Sequence, residues 1–241
     1  MNKILEIKNL TKRYYNKDEI VKAIDNITLD INEGEFVAIV GSSGCGKSTF
    51  LSILANLEEK TSGNIKYSKE DFKVGYMLQD DALFEWLNIL DNATLGLDIK
   101  KEKTCENIDY TINLLENYDL KDFINKYPNE LSGGMKQRVA LIRTLAIKPD
   151  LLLLDEPFSA LDYQTRLAVS EDVYKIIKKE KKTTIMVTHD LAEAISLADR
   201  VVVLSKRPCN IKKIYNIKFS NCNSPIEKRK SKEFNEYYES I

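Results

Sequence analysis

The feature that most constrains this chain is a glycine-rich stretch, GSSGCGKS, at residues 41–48. It fits the pattern G-x-x-x-x-G-K-[ST], follows the apolar run EFVAIV at 35–40 and precedes the helical pattern KSTFLSILANL, which starts at Lys47. In such a loop the glycines allow backbone N–H groups to converge on phosphate oxygens, and the following helix adds a partial positive charge. The sequence therefore predicts an α/β fold with a phosphate site at a helix N-terminus.

Each residue of this loop is a candidate ligand of a bound nucleotide. Lys47 is expected to reach the β- and γ-phosphates, and Ser48 to supply an oxygen to Mg²⁺. The candidates are Gly41, Ser42, Ser43, Gly44, Cys45, Gly46, Lys47, Ser48 and Thr49. The chemistry predicted here is the binding of nucleotide phosphates with Mg²⁺.

The second motif, LLLLDEP at 151–157, is acidic and indicates hydrolysis. It predicts a buried strand that ends in Asp155, a carboxylate suited to hold Mg²⁺ through its water shell. Neighbouring side chains diverge at the end of a strand, so Glu156 can face the water that attacks the γ-phosphate. The alternative reading of Glu156 is an acidic residue at the start of a helix.

The pattern of elements indicates an α/β protein with a mainly parallel sheet. The segments ILEIKNL and ITLDI near the N-terminus alternate apolar and polar residues, as half-buried antiparallel strands do. Further on, the apolar strands KVGYML, DLLLLDEP, TTIMVTH and RVVVLS alternate with helices, which favours parallel strands covered on both faces.

A helical insertion is predicted between residues 86 and 146, from the stretches LDNATLGLDI, CENIDYTINLLENY and LKDFINKY. We therefore expect a single domain over 1–241. Its predicted parts are a core with an antiparallel β part at 1–85 and 147–205, a helical subdomain at 86–146, and a C-terminal strand, KKIYNIKF, with a solvated terminal helix in 206–241.

Composition excludes several classes. Lys plus Arg (36) nearly balance Asp plus Glu (37), which disfavours nucleic acid as a partner. No apolar run approaches the roughly 20 residues that span a bilayer, and no secretion signal is recognisable, so a cytosolic chain is expected. Four cysteines without a C-x-x-C pair, together with a single histidine, argue against a zinc site.

Four motifs in order resemble the ATP-binding subunits of ABC transporters. GSSGCGKST at 41–49, LSGGMKQR at 131–138, LLLLDEPFSALD at 151–162 and VTHD at 187–190 are similar to the Walker A, signature, Walker B with D-loop, and H-loop segments of that family. The resemblance covers about residues 3–205 and implies a head-to-tail dimer with a second copy. Each signature segment then contacts the ATP that the other chain's loop holds.

The resemblance assigns residues to that contact. Ser132 and the amides of Gly133 and Gly134 would ligate the γ-phosphate at a helix N-terminus. Met135 stands where the family most often has glutamine, a change that leaves the serine and the amides in place.

Further roles follow from the same resemblance. Gln79 would sense Mg²⁺ and the attacking water, and His189 would contact the γ-phosphate, so both join Lys47 and Glu156 as catalytic candidates. Asp162 would couple the two sites of the dimer. Tyr14 would stack on adenine, with Tyr15 as the alternative.

The stretch DDALFEWLNILDNATLGLDI at 80–99 is similar to the same region of importer ATPases for nitrate, sulfonates, taurine and thiamine precursors. The resemblance implies transmembrane permease subunits bound to this region, an extracytoplasmic solute-binding protein, and a peripheral place on the cytoplasmic face of the membrane. Trp86 and Phe84 are the expected anchors, although packing inside the helical insert explains them equally well.

Other functions remain as alternatives. An exporter or lipid-handling ATPase fits the same motifs. A soluble ABC protein would usually carry two cassettes or a long coiled coil, and neither is present. A regulatory GTPase needs an N-K-x-D motif after the phosphate loop, whereas NKDE at 16–19 precedes it and ends in Glu.

Overall fold

The structure is a computed structural model that describes residues 2–15 and 19–241. Residues 16–18 of the NKDE stretch lie outside these ranges. The chain divides into two compact units: unit 1 comprises Met1–Phe72 with Lys181–Ile241, and unit 2 comprises Lys73–Glu180. The narrower helical subdomain at 86–146 remains a prediction.

The strands are β1 (Lys3–Tyr15), β2 (Ile20–Asn32), β3 (Phe36–Val40), β4 (Ser62–Tyr67), β5 (Val74–Met77), β6 (Leu151–Asp155), β7 (Thr183–Thr188), β8 (Arg200–Leu204) and β9 (Ile211–Asn216). The α-helices are α1 (Lys47–Leu54), α2 (Ile89–Ile99), α3 (Cys105–Asn117), α4 (Gly133–Ala146), α5 (Tyr163–Lys179), α6 (Leu191–Leu197), α7 (Pro225–Lys230) and α8 (Lys232–Ser240).

Unit 1 contains two sets of strands. β1 lies between β2 and β4 in an antiparallel sheet, and its alternate residues Leu5 and Ile7 are buried, as the alternation in the sequence predicts. β3 pairs in parallel with both β7 and β8, and β9 adds antiparallel to β8. All five residues of β3 are buried, which explains its unbroken apolar run.

Unit 2 combines the parallel pair β5 and β6 with α2, α3, α4 and α5. Each of these four helices begins after a residue whose side chain accepts a hydrogen bond from a backbone N–H of the first turn. These residues are Asn88, Thr104, Ser132 and Asp162. The α/β class with mainly parallel strands and an N-terminal antiparallel sheet is thus confirmed.

The helix predicted over LKDFINKY is wrong: the structure has only a 3-10 turn at Lys121–Phe123. The carbonyls of Ile124 and Lys126 accept hydrogen bonds from the N–H groups of Leu90 and Ile89 at the start of α2. These carbonyls therefore accept hydrogen bonds from α2, whereas the carbonyls inside a continuous α-helix accept from N–H groups four residues further along the same helix.

The single solvated helix expected at the C-terminus is also wrong, because the segment is broken at Ser231 into α7 and α8. The Ser231 hydroxyl accepts from the backbone N–H of Phe234 and so begins a new helix. Phe234 is buried, so α8 packs through one face. None of the helices within the described ranges has the length and apolarity that crossing a bilayer requires.

Candidate active site

The glycine-rich loop of unit 1 starts where β3 ends and runs into the first turn of α1. Gly46 has a φ of +126°, in the region that side chains disfavour. A Cβ atom at this position would also lie 3.1 Å from the carbonyl oxygen of Ala23. Gly46 is therefore required both by its backbone angle and by the close approach of β2.

Lys47 is directed back onto this loop. Its Nζ donates hydrogen bonds to the carbonyl oxygens of Gly41 at 3.0 Å and Ser42 at 3.3 Å, and the residue is 5% exposed. Phosphate oxygens are anionic acceptors and form stronger hydrogen bonds with an ammonium group than these neutral carbonyls do. The loop thus holds a buried cation next to its own backbone.

The other loop residues differ in exposure. Ser42, Ser43, Gly44 and Ser48 are exposed, and Thr49 is half-buried. Cys45 is only 1% exposed, so its thiol is enclosed and only its backbone can serve a ligand.

His189 is brought to the same edge of the sheet as the loop. β3 and β7 are parallel, with Val40 paired to Thr188. The residues that follow these partners, Gly41 and His189, therefore leave the two strands side by side. His189 is exposed, and the next residue, Asp190, accepts hydrogen bonds from Ala192 and Glu193 at the start of α6.

Tyr14 is connected to the loop through its hydroxyl. Burial, followed by a hydrogen bond with Glu58, raises the pKa of Tyr14, and a hydrogen bond with Thr49 acts in the opposite direction. The Nζ atom of Lys12 lies 4.8 Å from the centroid of the Tyr14 ring. Tyr15 is 65% exposed.

Unit 2 repeats the arrangement of two parallel strand ends. Met77 of β5 pairs with Leu154 of β6, so Gln79 and Glu156 both follow two residues later at one edge. Gln79 is exposed. Glu156 has a φ of +44°, a left-handed conformation that is unusual for a residue with a side chain and that is concentrated at functional sites.

Asp155 is almost fully buried, and the hydroxyl of Tyr76 donates to its Oδ2 atom at 3.0 Å. Asp155 in unit 2 and Ser48 in unit 1 both present hard oxygen donors, the kind that Mg²⁺ prefers. Across residues 2–15 and 19–241, no group of three His, Cys, Asp or Glu side chains could hold a metal by itself. Each of these donors, taken by itself, therefore fits an ion that receives its other ligands from phosphates and water.

The signature segment LSGG stands at the start of α4. The Ser132 hydroxyl is exposed and accepts from the backbone N–H of Met135 at 3.3 Å. Gly133 is exposed, whereas Gly134 is buried, and a Cβ atom on Gly134 would lie 2.8 Å from Cγ2 of Val169. Gly134 thus also has a packing role, because it lets α4 approach α5.

Asp162 stands at the start of α5. Hydrogen bonds from the Thr165 side chain and then the Thr165 backbone N–H hold the pKa of Asp162 below its usual range. A second backbone N–H, from Gln164, donates to the same Oδ1 atom. Its carboxylate is therefore ionised and engaged in capping the helix.

Two residues near these motifs are absent from the sequence predictions. Tyr76 orients Asp155, and Arg207 donates from Nη2 to the carbonyl oxygen of Gly44 at 2.9 Å. Tyr76 reads as an ordinary strand residue in KVGYML, and Arg207 as a surface cation before Pro208. Neither carries a motif that would have identified it.

The sequence profile of the family described as ABC transporter matches residues 24–159, which is more than half of the chain. This chain belongs to the ABC transporter family. It is an ATP-binding ABC ATPase, as the motifs predict.

Among similar ABC proteins is the uncharacterized ABC transporter ATP-binding protein YtlC of Bacillus subtilis (strain 168), which is 41% identical and aligns over 98% of this chain and 94% of the relative. The taurine import ATP-binding protein TauB of Roseobacter denitrificans is 38% identical over 97% of this chain and 89% of the relative. The dimeric ATP-binding cassette MJ0796, solved in a post-hydrolysis state bound to ADP and Pi, superposes with a TM-score of 0.75 and 33% identity, covering 90% of this chain and 100% of MJ0796.

Proposed function

We propose that this ABC ATPase energises an importer of a small organic solute or oxyanion, and that it does so by closing onto a second copy of itself around ATP. The observation that carries the proposal is the exposed aromatic pair Phe84 and Trp86, five and seven residues after Gln79. Gln79, one of the proposed ATP-site residues, and a proposed surface for a membrane partner are thus close together in the sequence of unit 2.

In the proposed ATP site, the glycine loop and Lys47 bind the phosphates, and Tyr14 stacks on the adenine. Glu156 accepts a proton from the attacking water, while Gln79 and His189 orient that water and the γ-phosphate. Ser48, Asp155 and Gln79 would hold Mg²⁺, which when bound would supply positive charge to neutralise the phosphates.

The second copy completes the site in this proposal. Ser132 and Gly133 are exposed at the start of a 14-residue helix, where backbone N–H groups favour an anion. The γ-phosphate of the other copy's ATP is the proposed anion, and Asp162 is proposed to couple the two sites of the dimer. The dimeric state of MJ0796 with ADP and Pi supports this arrangement.

The partner on the membrane side is proposed to be a pair of permease subunits that bind residues 80–99. Trp86 is 73% exposed, and its ring centroid lies 5.0 Å from that of Phe84, so the pair forms a compact apolar contact. Such aromatic pairs are typical of the centres of protein interfaces. The similarity to TauB, a taurine import ATP-binding protein, supports import. An extracytoplasmic solute-binding protein and a peripheral place at the cytoplasmic membrane face belong to the same proposal.

The dimer is tested with the Glu156→Gln variant, in which hydrolysis is blocked while ATP binding is retained. Light scattering after gel filtration with MgATP is expected to show a dimer, and the further change Lys47→Ala is expected to restore the monomer. A Glu156→Gln monomer that retains bound ATP would refute the mechanism.

The transport role is tested by purifying the tagged chain from detergent-solubilised cells. A permease is expected to accompany the wild type and to be lost from Phe84→Ala/Trp86→Ala. Tyr238→Ala, which removes another exposed ring in unit 1, is the matched control. Solute uptake that survives deletion of the chain, with loss of solute extrusion instead, would favour an exporter.

A further inference from the structure

The backbone of the loop that carries the aromatic pair is bound to the signature helix by an arginine. We name residues 81–87 the aromatic loop. Arg143 of α4 donates from Nη1 to the carbonyl oxygen of Ala82 at 2.7 Å and from Nη2 to that of Asp81 at 2.6 Å. Ala82 has a φ of +46°, so this fork holds the backbone in a conformation that alanine rarely adopts by itself.

Two further side chains contact the aromatic loop, Lys136 through a partly exposed ion pair and Asn92 through hydrogen bonds of its buried amide. Lys136 is seven residues before Arg143, on the same face of α4, and its Nζ lies 3.8 Å from Oε1 of Glu85. The buried Asn92 of α2 accepts from the N–H of Phe84 and donates to the carbonyls of Phe84 and Leu87. The backbone of the loop is therefore tied to α4 and α2, while its two rings face outward.

α4 joins this loop to the proposed ATP contact. Ser132 lies at the first end of the helix, and Arg143 lies 11 residues further on, which corresponds to about 16 Å along an α-helix. A hydrogen-bonded helix of this length moves nearly as a rigid rod. We therefore expect a displacement of α4 at Ser132 to move Arg143 and the two carbonyls of the aromatic loop that Arg143 holds.

We propose that Arg143 is a positioning residue that couples the aromatic loop to the signature helix. When Ser132 engages the ATP of a second copy, α4 pulls the loop and Trp86 with it. By thermodynamic reciprocity, a partner bound at Trp86 changes how well Ser132 engages that ATP. The inference rests on the proposed function, because it requires Ser132 to contact the ATP of the second copy.

The contact geometry requires an arginine at position 143 and not just any positive charge. A guanidinium can hold two successive carbonyls at once, whereas a lysine ammonium lacks that planar fork. Arg138 supplies a matched comparison on the same helix. It donates to the carbonyl of Tyr118 at 3.1 Å and lies 3.9 Å from Asp172, so these contacts are with the residue after α3 and with α5, not with the aromatic loop.

The test uses Trp86 as a reporter, since it is the single tryptophan of the chain. In the full-length Glu156→Gln protein, Trp86 emission is recorded with and without MgATP, and dimer formation is followed by light scattering. ATP is expected to shift the emission in this parent and in its Arg138→Gln derivative. The shift should fall by about threefold or more in Arg143→Gln and take an intermediate value in Arg143→Lys, with dimer formation retained.

Each outcome is decisive. A full emission shift in Arg143→Gln, or an equal loss in Arg138→Gln, would overturn the coupling role. If Arg143→Gln fails to fold, the emission shift of Arg143→Lys is used instead. An intermediate shift supports the proposal, and a full shift would overturn it. A parent that binds ATP without dimerising refutes the proposed function, whereas a parent that dimerises without any emission change refutes only this inference.

Discussion

Arg207 donates a hydrogen bond from Nη2 to the carbonyl oxygen of Gly44 at 2.9 Å, and so fixes the turn after β8 against the phosphate loop. The backbone continues this contact, because Cys209 N–H donates to the carbonyl of Ala23 at 3.0 Å. A Cβ atom on Gly46 would lie 3.5 Å from the Cys209 sulfur. The floor of the loop is therefore formed by β2 and by the β8–β9 turn.

Arg207→Ala should weaken ATP binding about fivefold, since one charge-assisted hydrogen bond that orders the loop is worth about 1 kcal/mol at an exposed site. Calorimetric titration with ATP measures the change, and hydrogen exchange of the 41–49 peptide should become faster. Lys206→Ala is the control, because Lys206 is exposed and adjacent. Equal affinities for Arg207→Ala and wild type would show that the loop orders without this contact.

Tyr76→Phe should lower kcat by about threefold to tenfold and raise the Mg²⁺ concentration needed for half-maximal ATPase activity, because Asp155 loses an orienting hydrogen bond. The KM for ATP should stay unchanged. Tyr67→Phe is the matched control, since that hydroxyl donates to the carbonyl of Leu54 in unit 1. An unaltered Mg²⁺ titration for Tyr76→Phe would remove Tyr76 from the site.

Tyr14→Ala should weaken ATP binding by about fivefold or more, because stacking of a base on an aromatic ring is worth roughly 1–3 kcal/mol. Tyr14→Phe keeps the ring and should bind within about twofold of wild type. Fluorescence titration with an adenine nucleotide analogue measures these affinities. If Tyr15→Ala is the weaker binder, adenine stacks on Tyr15 instead.

Gly134→Ala should destabilise the protein by about 1–2 kcal/mol, because the new methyl group meets Val169 at 2.8 Å. Gly133→Ala meets only a Leu161 methyl at 3.3 Å and should stay within about 0.5 kcal/mol of wild type. Urea denaturation measures both. In a Val169→Ala background, which removes the clashing methyl group, Gly134→Ala should lower the free energy of unfolding by less than it does in the wild type. An equal loss in both backgrounds would argue against the packing role.

The cysteines should differ sharply in reactivity. Burial, and then the neighbouring Cys45, raises the pKa of Cys209 to about 12, from an ordinary value of 9.0. Since only the thiolate reacts, native Cys209 should resist iodoacetamide at pH 8, while the exposed Cys105 is modified. The stability that the protonated Cys209 contributes is complete below pH 9 and is lost as the pH rises from 9 to about 12. Mass spectrometry of labelled peptides checks the reactivity, and rapid modification of Cys209 at pH 8 would contradict it.

The sequence predicted the strands and the helix start that carry the candidate site residues, whose roles remain predictions. GSSGCGKS places Lys47 at a helix start, as predicted. The strand order is known only from the structure, in which parallel pairing brings Gly41 next to His189 and Gln79 next to Glu156. Apolar runs and the order of motifs can be seen directly in the amino-acid sequence, which is why these strands and this helix start could be predicted.

The contacts that the sequence did not predict join residues far apart in the chain, and most end on backbone atoms. Arg207 reaches Gly44 across 163 positions, and Arg143 reaches Asp81 across 62. A backbone carbonyl looks the same in every residue, so no pattern of side chains marks it as an acceptor. The LKDFINKY segment failed for a related reason, since tertiary hydrogen bonds to α2 replaced its helical ones.

The left-handed backbone at Glu156 lowers the stability of the protein at a position whose side chain is proposed to serve catalysis. Glycine or asparagine would adopt the same φ at lower cost, and either would remove the carboxylate proposed to accept the proton. A library selected only for thermal resistance should therefore accumulate inactive proteins altered at residue 156, whereas selection for transport should retain glutamate there despite its conformational cost.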